Sequence, residues 1–99
     1  MSQDSVAIDS IPYDKKMKKK ESIMKNVREY RVYVEEGKKA FRKKVMDIND
    51  PDDPETIFED VKEDIISDYK ECRALYKKTK DEDIKKFLKH IKKHCSDIL

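Results

Sequence analysis

Residues 49–55 read NDPDDPE and form the sharpest break in a chain that otherwise has few turn-forming residues. Proline does not continue a helix through its interior, so Pro51 and Pro54 mark the end of any helix that precedes them. Asp53 followed by Pro54 is also a typical helix start, an N-cap residue before a first-turn proline. The segment therefore predicts one helix that ends before it and a second helix that begins at Pro54.

On the N-terminal side of this break, residues 14–48 have the apolar spacing of one long helix. Apolar positions recur every three or four residues, which is typical of a single buried stripe. The stripe consists of Ile23, Val27, Tyr30, Val34, Gly37, Phe41, Val45 and Ile48. A glycine inside a helix costs about 1 kcal/mol relative to alanine. For Gly37 we expect either close approach of a neighbouring helix or simple tolerance of this cost.

On the C-terminal side, the pattern predicts two further helices. The first covers residues 54 to about 78. Asp68 projects into its apolar face, so we expect this carboxylate to pair with a tyrosine hydroxyl or a lysine of the first helix, or to lie where the bundle is open or dimeric. Thr79 and Glu82 have the spacing of a capping box, which predicts a last helix over residues 80 to about 97.

These elements predict an all-α protein. Short connections place successive helices antiparallel, so the expected fold is an antiparallel three-helix bundle with a long first helix (about 14–48, 54–78 and 80–97). Residues 1–13 lack helical periodicity and are expected to form a flexible N-terminal arm. Residues 14–99 would then make up a single helical domain.

The composition argues against several classes of protein. Charged residues are 46% of the chain and hydrophobic residues 36%, so the core is small, which favours support from a partner or from self-association. Two cysteines are too few for a disulfide scaffold. The chain has no apolar run long enough for a signal peptide or a membrane span. We therefore expect a soluble, cytoplasmic protein with no membrane partner.

Motifs of enzyme chemistry are missing from the sequence. It contains no Gly-rich phosphate loop, no nucleophile elbow and no pair of carboxylates with a partner histidine. We accordingly expect a protein without catalytic residues, cofactors or a small-molecule substrate.

Residues 85–95, KKFLKHIKKHC, raise the question of a metal site. His90 and His94 are four residues apart, so both imidazoles point to the same side of a helix. A zinc site needs three or four ligands, whereas Cys95 falls on the apolar face of this helix and the neighbouring lysines repel a cation. We therefore predict two surface histidines and no metal site.

Two lysine clusters favour an alternative function, nucleic-acid binding. Clustered lysines neutralise phosphates without regard to base sequence. The clusters are Lys15, Lys16, Lys18, Lys19 and Lys20 in the first helix and Lys85, Lys86, Lys89, Lys92 and Lys93 in the last. However, the chain has only four arginines beside its twenty lysines, and no motif of a known nucleic-acid-binding fold.

The acidic side chains are concentrated in residues 49–64, which hold eight of them and a single lysine. Acids in the first turns of a helix suit its dipole, and they can also face lysines of neighbouring helices. The alternative is an acidic end of the bundle that is offered to a basic partner.

Apolar residues outside the expected core point to a contact surface. Met17, Met24 and Met46 share a second face of the predicted first helix, and Val32 also lies on a polar side. Methionine is flexible and polarisable, which suits an adaptable binding surface. We therefore expect a small non-enzymatic helical protein that binds another protein through these four residues, as an adaptor, an inhibitor or an assembly subunit. A homodimeric structural module is a further alternative.

Overall fold

The computed structural model describes residues 11–99 and shows an all-α chain. Its helices are α1 (Tyr13–Glu36), α2 (Lys38–Lys44), α3 (Pro54–Thr79) and α4 (Glu82–Cys95), followed by a short 3-10 turn at Ser96–Ile98. The all-α class is confirmed. The predicted number of helices is corrected from three to four within the described range.

Contacts between side chains fix the direction of the three long helices. Lys19, early in α1, lies 3.5 Å from Asp68 of α3, whereas Tyr30, later in α1, stacks on Phe58, earlier in α3, so α1 and α3 are antiparallel. Arg31 of α1 donates to the carbonyl of His94 at 3.3 Å, near the end of α4. The same ends of α1 and α4 therefore lie together, as in an up-down-up bundle.

The predicted helix over residues 14–48 is wrong because the chain breaks at Gly37. This residue has φ 99° and ψ 176°, a conformation that is essentially confined to glycine. A Cβ added at Gly37 would meet nothing within 4 Å, so neither close helix approach nor tolerance in a continuous helix explains it. Beyond the break α2 ends at Lys44, and Ile48 is 89% exposed rather than part of a buried stripe.

The starts of α3 and α4 show how aspartate side chains begin helices in this chain. Asp53 caps α3 as predicted, accepting from the amide of Glu55 at 3.3 Å, with Pro54 in the first turn. The capping residue of α4 is Asp81, which accepts from the amides of Asp83 and Ile84. The predicted cap two residues earlier is therefore corrected.

Thr79 instead ends α3. Its hydroxyl donates to the carbonyl of Leu75 at 2.8 Å, and the following residue, Lys80, turns the chain with a left-handed φ of 56°. A left-handed residue between the two helices cannot belong to either of them. The helix expected from residue 80 therefore begins only at Glu82.

The core lies where α1, α3 and α4 meet, with Phe41 of α2 added at one end. Its buried members are Ile23, Val27, Tyr30, Phe41, Met46, Val61, Ile65, Cys72, Ile84, Phe87, Ile91 and Cys95. Tyr33 and Phe58 stack with ring centroids 3.8 Å apart, and Phe41 meets both rings edge-on. Burial of these side chains from water is the main force that holds the helices together.

The expected N-terminal arm falls mostly outside the described residues. Residues 1–10 of the arm are not described, and α1 begins at Tyr13, one residue earlier than expected. Within residues 11–99, no helix has the length and apolar character that a membrane crossing requires.

Candidate functional site

The four predicted contact residues occupy three different environments. Met17 and Met24 line a groove between α1 and α4. Val32 is half-buried and packs against the core. Met46 is only 9% exposed and belongs to the core, so its expected surface position is corrected. The helical phase that placed Met46 beside the other methionines is interrupted at Gly37 and ends with α2.

The α1–α4 groove has a volume of about 410 Å³. Helix α1 contributes Tyr13, Lys16, Met17, Lys20 and Met24, and α4 contributes Asp83, Lys86, Phe87 and His90. Positions three or four residues apart on one helix share a face, which is why each helix presents its set to the same groove. The two methionines and the largely buried Phe87 make part of the lining apolar.

Two ion pairs fasten one end of this groove. Lys16 Nζ lies 2.9 Å from Asp83 Oδ2 and 3.1 Å from Asp81 Oδ2. The hydrogen bonds that Lys16 donates to Asp83 and Asp81 raise the pKa of Lys16. Burial raises the pKa of Asp81, but the bond from Lys16 and those from two backbone amides outweigh this effect and lower it overall. Asp83, the one carboxylate among the described lining residues, is therefore paired within the protein.

Lysines give the groove a positive edge. Lys20 and Lys86 make no ion pair with any residue in the range 11–99. Since Asp83 is already bound by Lys16, the charge left over in the lining is positive. The groove thus combines an apolar floor with two basic side chains, an arrangement that is complementary to an acidic, amphipathic ligand.

One histidine of the predicted pair, His90, lines the same groove. The rings of His90 and His94 are 4.7 Å apart and inclined at 60°. Burial lowers the pKa of His90, and the nearby His94 and Lys93 add to the effect. Cys95 is fully buried, and burial raises the pKa of its thiol to about 11. Over residues 11–99, no three side chains of the metal-binding types come together as a group.

The lysines expected to bind nucleic acid do not form one surface. Lys19 is held by Asp68 and Glu71, so of the alternatives expected for Asp68 the structure shows the pair with a lysine of the first helix. Lys15 and Lys18 line a different groove, between α1 and α3. Lys85 is half-buried, and the remaining lysines of the last helix are exposed along it: Lys86, Lys89, Lys92 and Lys93.

Part of the acidic segment is bound internally. Lys38 of α2 lies 3.3 Å from Glu55 and 3.5 Å from Asp53. These acids stand at the start of α3, where the helix dipole also favours negative charge. The interpretation that these acids face lysines of neighbouring helices therefore holds for Asp53 and Glu55, the two residues that Lys38 contacts.

Two features of the groove were not foreseen from the sequence. One is the contribution of Phe87 and His90, since the sequence pattern did not place these residues of the last helix beside the methionines of the first. The other is the clamp of Lys16 with Asp81 and Asp83; the only signal for it was an aspartate-rich turn placed before a helix. In comparisons with known proteins, the chain matches no family model, no curated protein and no solved structure.

Proposed function

We propose that this chain is a small non-enzymatic protein-interaction module whose α1–α4 groove binds an acidic, amphipathic helix of a partner protein. The observation that carries the proposal is the placement of Met17 and Met24 in an apolar groove edged by Lys20 and Lys86. An adaptor, an inhibitor and an assembly subunit would all use such a surface in the same way.

The apolar part of the groove suits a helical ligand. An amphipathic helix places apolar anchors at positions i, i+3, i+4 and i+7 into a hydrophobic groove. Met17 and Met24 are two turns apart on α1, which matches that spacing, and thioether side chains adapt to different anchors. Phe87 is 6% exposed and provides a rigid floor beneath them.

The charge of the groove selects the kind of helix. Asp83 is bound by Lys16, and the described lining residues of the groove include two lysines without an ion pair and no carboxylate other than Asp83. Complementary charge speeds association and disfavours partners of like charge. A helix with glutamates or aspartates beside its apolar stripe fits this surface, and a basic helix does not.

The proposal is tested with a fluorescent designed peptide that has a leucine stripe at helical spacing and glutamates elsewhere, by fluorescence anisotropy. Met17→Glu with Met24→Glu should weaken binding at least tenfold, because two charges enter the apolar floor. Val34→Glu with Ile48→Glu is the matched control, since these residues are 48% and 89% exposed and lie outside the groove. Equal affinity for both double variants would contradict the proposal.

A second pair of variants tests the charge argument separately. Lys20→Glu with Lys86→Glu should weaken binding of the acidic peptide and strengthen binding of a lysine-substituted version with the same leucine stripe. Both lysines are exposed, so the fold should be retained, as circular dichroism can verify. If the acidic and the basic peptide respond alike, the lysines do not select the partner.

Nucleic-acid binding is the second candidate function. Eight of the ten clustered lysines form no ion pair with the described residues, which leaves them available to phosphates. A labelled duplex and a labelled single strand should then bind with an affinity that falls steeply with log[salt]. Lys85→Glu, Lys89→Glu and Lys92→Glu together should abolish that binding while leaving binding of the acidic peptide unaffected.

A homodimeric module would instead show a mass of twice 11.8 kDa by light scattering.

A further inference from the structure

We infer that a second groove, between α1 and α3, binds a small anionic amphiphile, that is, a single alkyl chain with a carboxylate or phosphate head. This groove lies on another side of α1 from the proposed protein-binding groove. The inference is therefore independent of the proposed function, although Lys16 borders both grooves.

The α1–α3 groove has the size of a small-molecule site. Its volume is about 730 Å³, and ligand pockets commonly measure about 300–1,000 Å³. Ile11 and Pro12 line it at the start of α1, Leu75 lines it from α3, and Ile84 lines it from α4. These side chains provide an apolar wall, with Ile84, which is 1% exposed, at its base.

The charged side chains of this groove are almost all lysines. Lys15, Lys18 and Lys78 line it and are exposed, and none of them forms an ion pair within residues 11–99. Glu71, the one acid among the described lining residues, is bound by Lys19. Three lysines beside an apolar wall are complementary to a ligand with one negative and one apolar end.

The apolar wall and the three lysines together restrict the class of ligand that the α1–α3 groove can bind. An inorganic anion would leave the apolar wall unused, and a neutral alkyl compound would leave three lysines without a partner. Single-stranded nucleic acid is bound by aromatic stacking platforms in a basic channel, and none of the described residues that line this groove is aromatic. An anionic amphiphile uses both parts of the site, because its alkyl chain packs against Leu75 and Ile84 and its head lies among the lysines.

Isothermal titration calorimetry with monomeric probes tests the inference. Decanoate and decyl phosphate should bind with one molecule per chain, whereas acetate, inorganic phosphate and decyltrimethylammonium should not. Shortening decanoate should weaken binding by up to about fourfold per methylene, the value for full burial. Equal binding of the anionic and cationic amphiphiles would overturn the inference, as would binding of acetate as tight as that of decanoate.

Substitutions test whether the ligand binds in the α1–α3 groove. Lys15→Glu, Lys18→Glu and Lys78→Glu together should weaken decanoate binding at least tenfold, and Ser22→Trp should block it by filling the groove from an exposed position. Lys20→Glu with Lys86→Glu, in the other groove, is the matched control and should leave it unchanged. The assignment to this groove would be wrong if decanoate bound the triple variant with full affinity. It would also be wrong if the acidic peptide, bound at the α1–α4 groove, displaced decanoate.

Discussion

Gly37 determines where α1 ends, because its backbone conformation is essentially closed to other residues. We expect Gly37→Ala to lower the free energy of unfolding by about 1–3 kcal/mol, the usual cost of such a strained conformation. Urea denaturation measures the change. The space around residue 37 is open, so the loss would be conformational and not steric.

A D-alanine control separates the conformational cause of this loss from a steric one. D-alanine, introduced at position 37 by chemical synthesis, adds the same methyl group but accepts a positive φ, and it should leave the stability close to that of the natural chain. An L-alanine protein as stable as the natural one would show that the break at Gly37 is not required.

His90 links the stability of the bundle to pH. Its pKa in the folded chain is lowered, by burial first and then by His94 and Lys93, whereas an unfolded histidine titrates near pH 6.5. The folded state therefore binds fewer protons than the unfolded state around and below this pH, so stability is full above it and decreases as the pH falls.

The measurement is urea denaturation at a series of pH values between about 5 and 8. His90→Gln should flatten the decrease of stability below about pH 6.5, because glutamine has no proton to gain. His94→Gln, one turn further along the helix, is a useful companion since it removes the neighbouring ring. If the natural chain becomes more stable on acidification through this range, the pKa of His90 is shifted in the opposite direction.

At the scale of the helix, local signals in the sequence predicted α3 and α4 better than α1. The start of α3 follows from Asp53 and Pro54, whose effect depends only on adjacent residues. Gly37 has the right spacing for the buried stripe, and periodicity alone does not distinguish a glycine within a helix from one that breaks it. Thr79 matched a capping motif, but Lys80 has a left-handed backbone conformation, and Asp81 is therefore the residue that caps α4.

Helix α2 has seven residues and depends on its one buried side chain for its position. An isolated helix this short is not stable in water, and Phe41, which is fully buried against Tyr33 and Phe58, fastens it to the bundle. Phe41→Ala should lower the free energy of unfolding by about 3–5 kcal/mol. Hydrogen exchange of the α2 amides should increase as well.

Lys39→Ala is the control within the same helix, because this side chain is exposed. It should change the stability by less than about 0.5 kcal/mol. Loss of α2 protection in both variants alike would mean that the helix is not anchored by Phe41.

At the scale of the whole molecule, the described chain is elongated, with dimensions of 54 × 27 × 15 Å. The candidate groove depends on this arrangement, since it needs α1 beside α4 along their length. Met17 and Met24 were identifiable from one helix alone, because both lie off its apolar stripe. The contributions of Phe87, His90 and Lys86 were not, since they depend on how α4 is rotated against α1.

Both cysteines report on the integrity of the core. Cys72 of α3 and Cys95 of α4 are fully buried, and burial raises the pKa of each thiol. The thiolate is the reactive form, so labelling by a disulfide reagent at pH 8 should be at least about a hundredfold slower than in the urea-unfolded chain and should follow global opening. Mass spectrometry identifies the labelled residue.

A surface thiol provides the internal standard for this experiment. Ser67→Cys adds an exposed cysteine to α3, and it should react in the folded protein about as fast as in the unfolded one. Rapid labelling of Cys72 or Cys95 under native conditions would mean that the three long helices do not close over the core there.

The most direct test of the proposed function uses the methionine methyl groups, because the chain has only four methionines. With ¹³C-methyl methionine, NMR spectra are recorded while the acidic amphipathic peptide is added. The signals of Met17 and Met24 should move and saturate together, whereas that of Met46, buried in the core, should stay in place. A peptide that binds without moving Met17 and Met24 would contradict the assignment of the α1–α4 groove as the protein-binding surface.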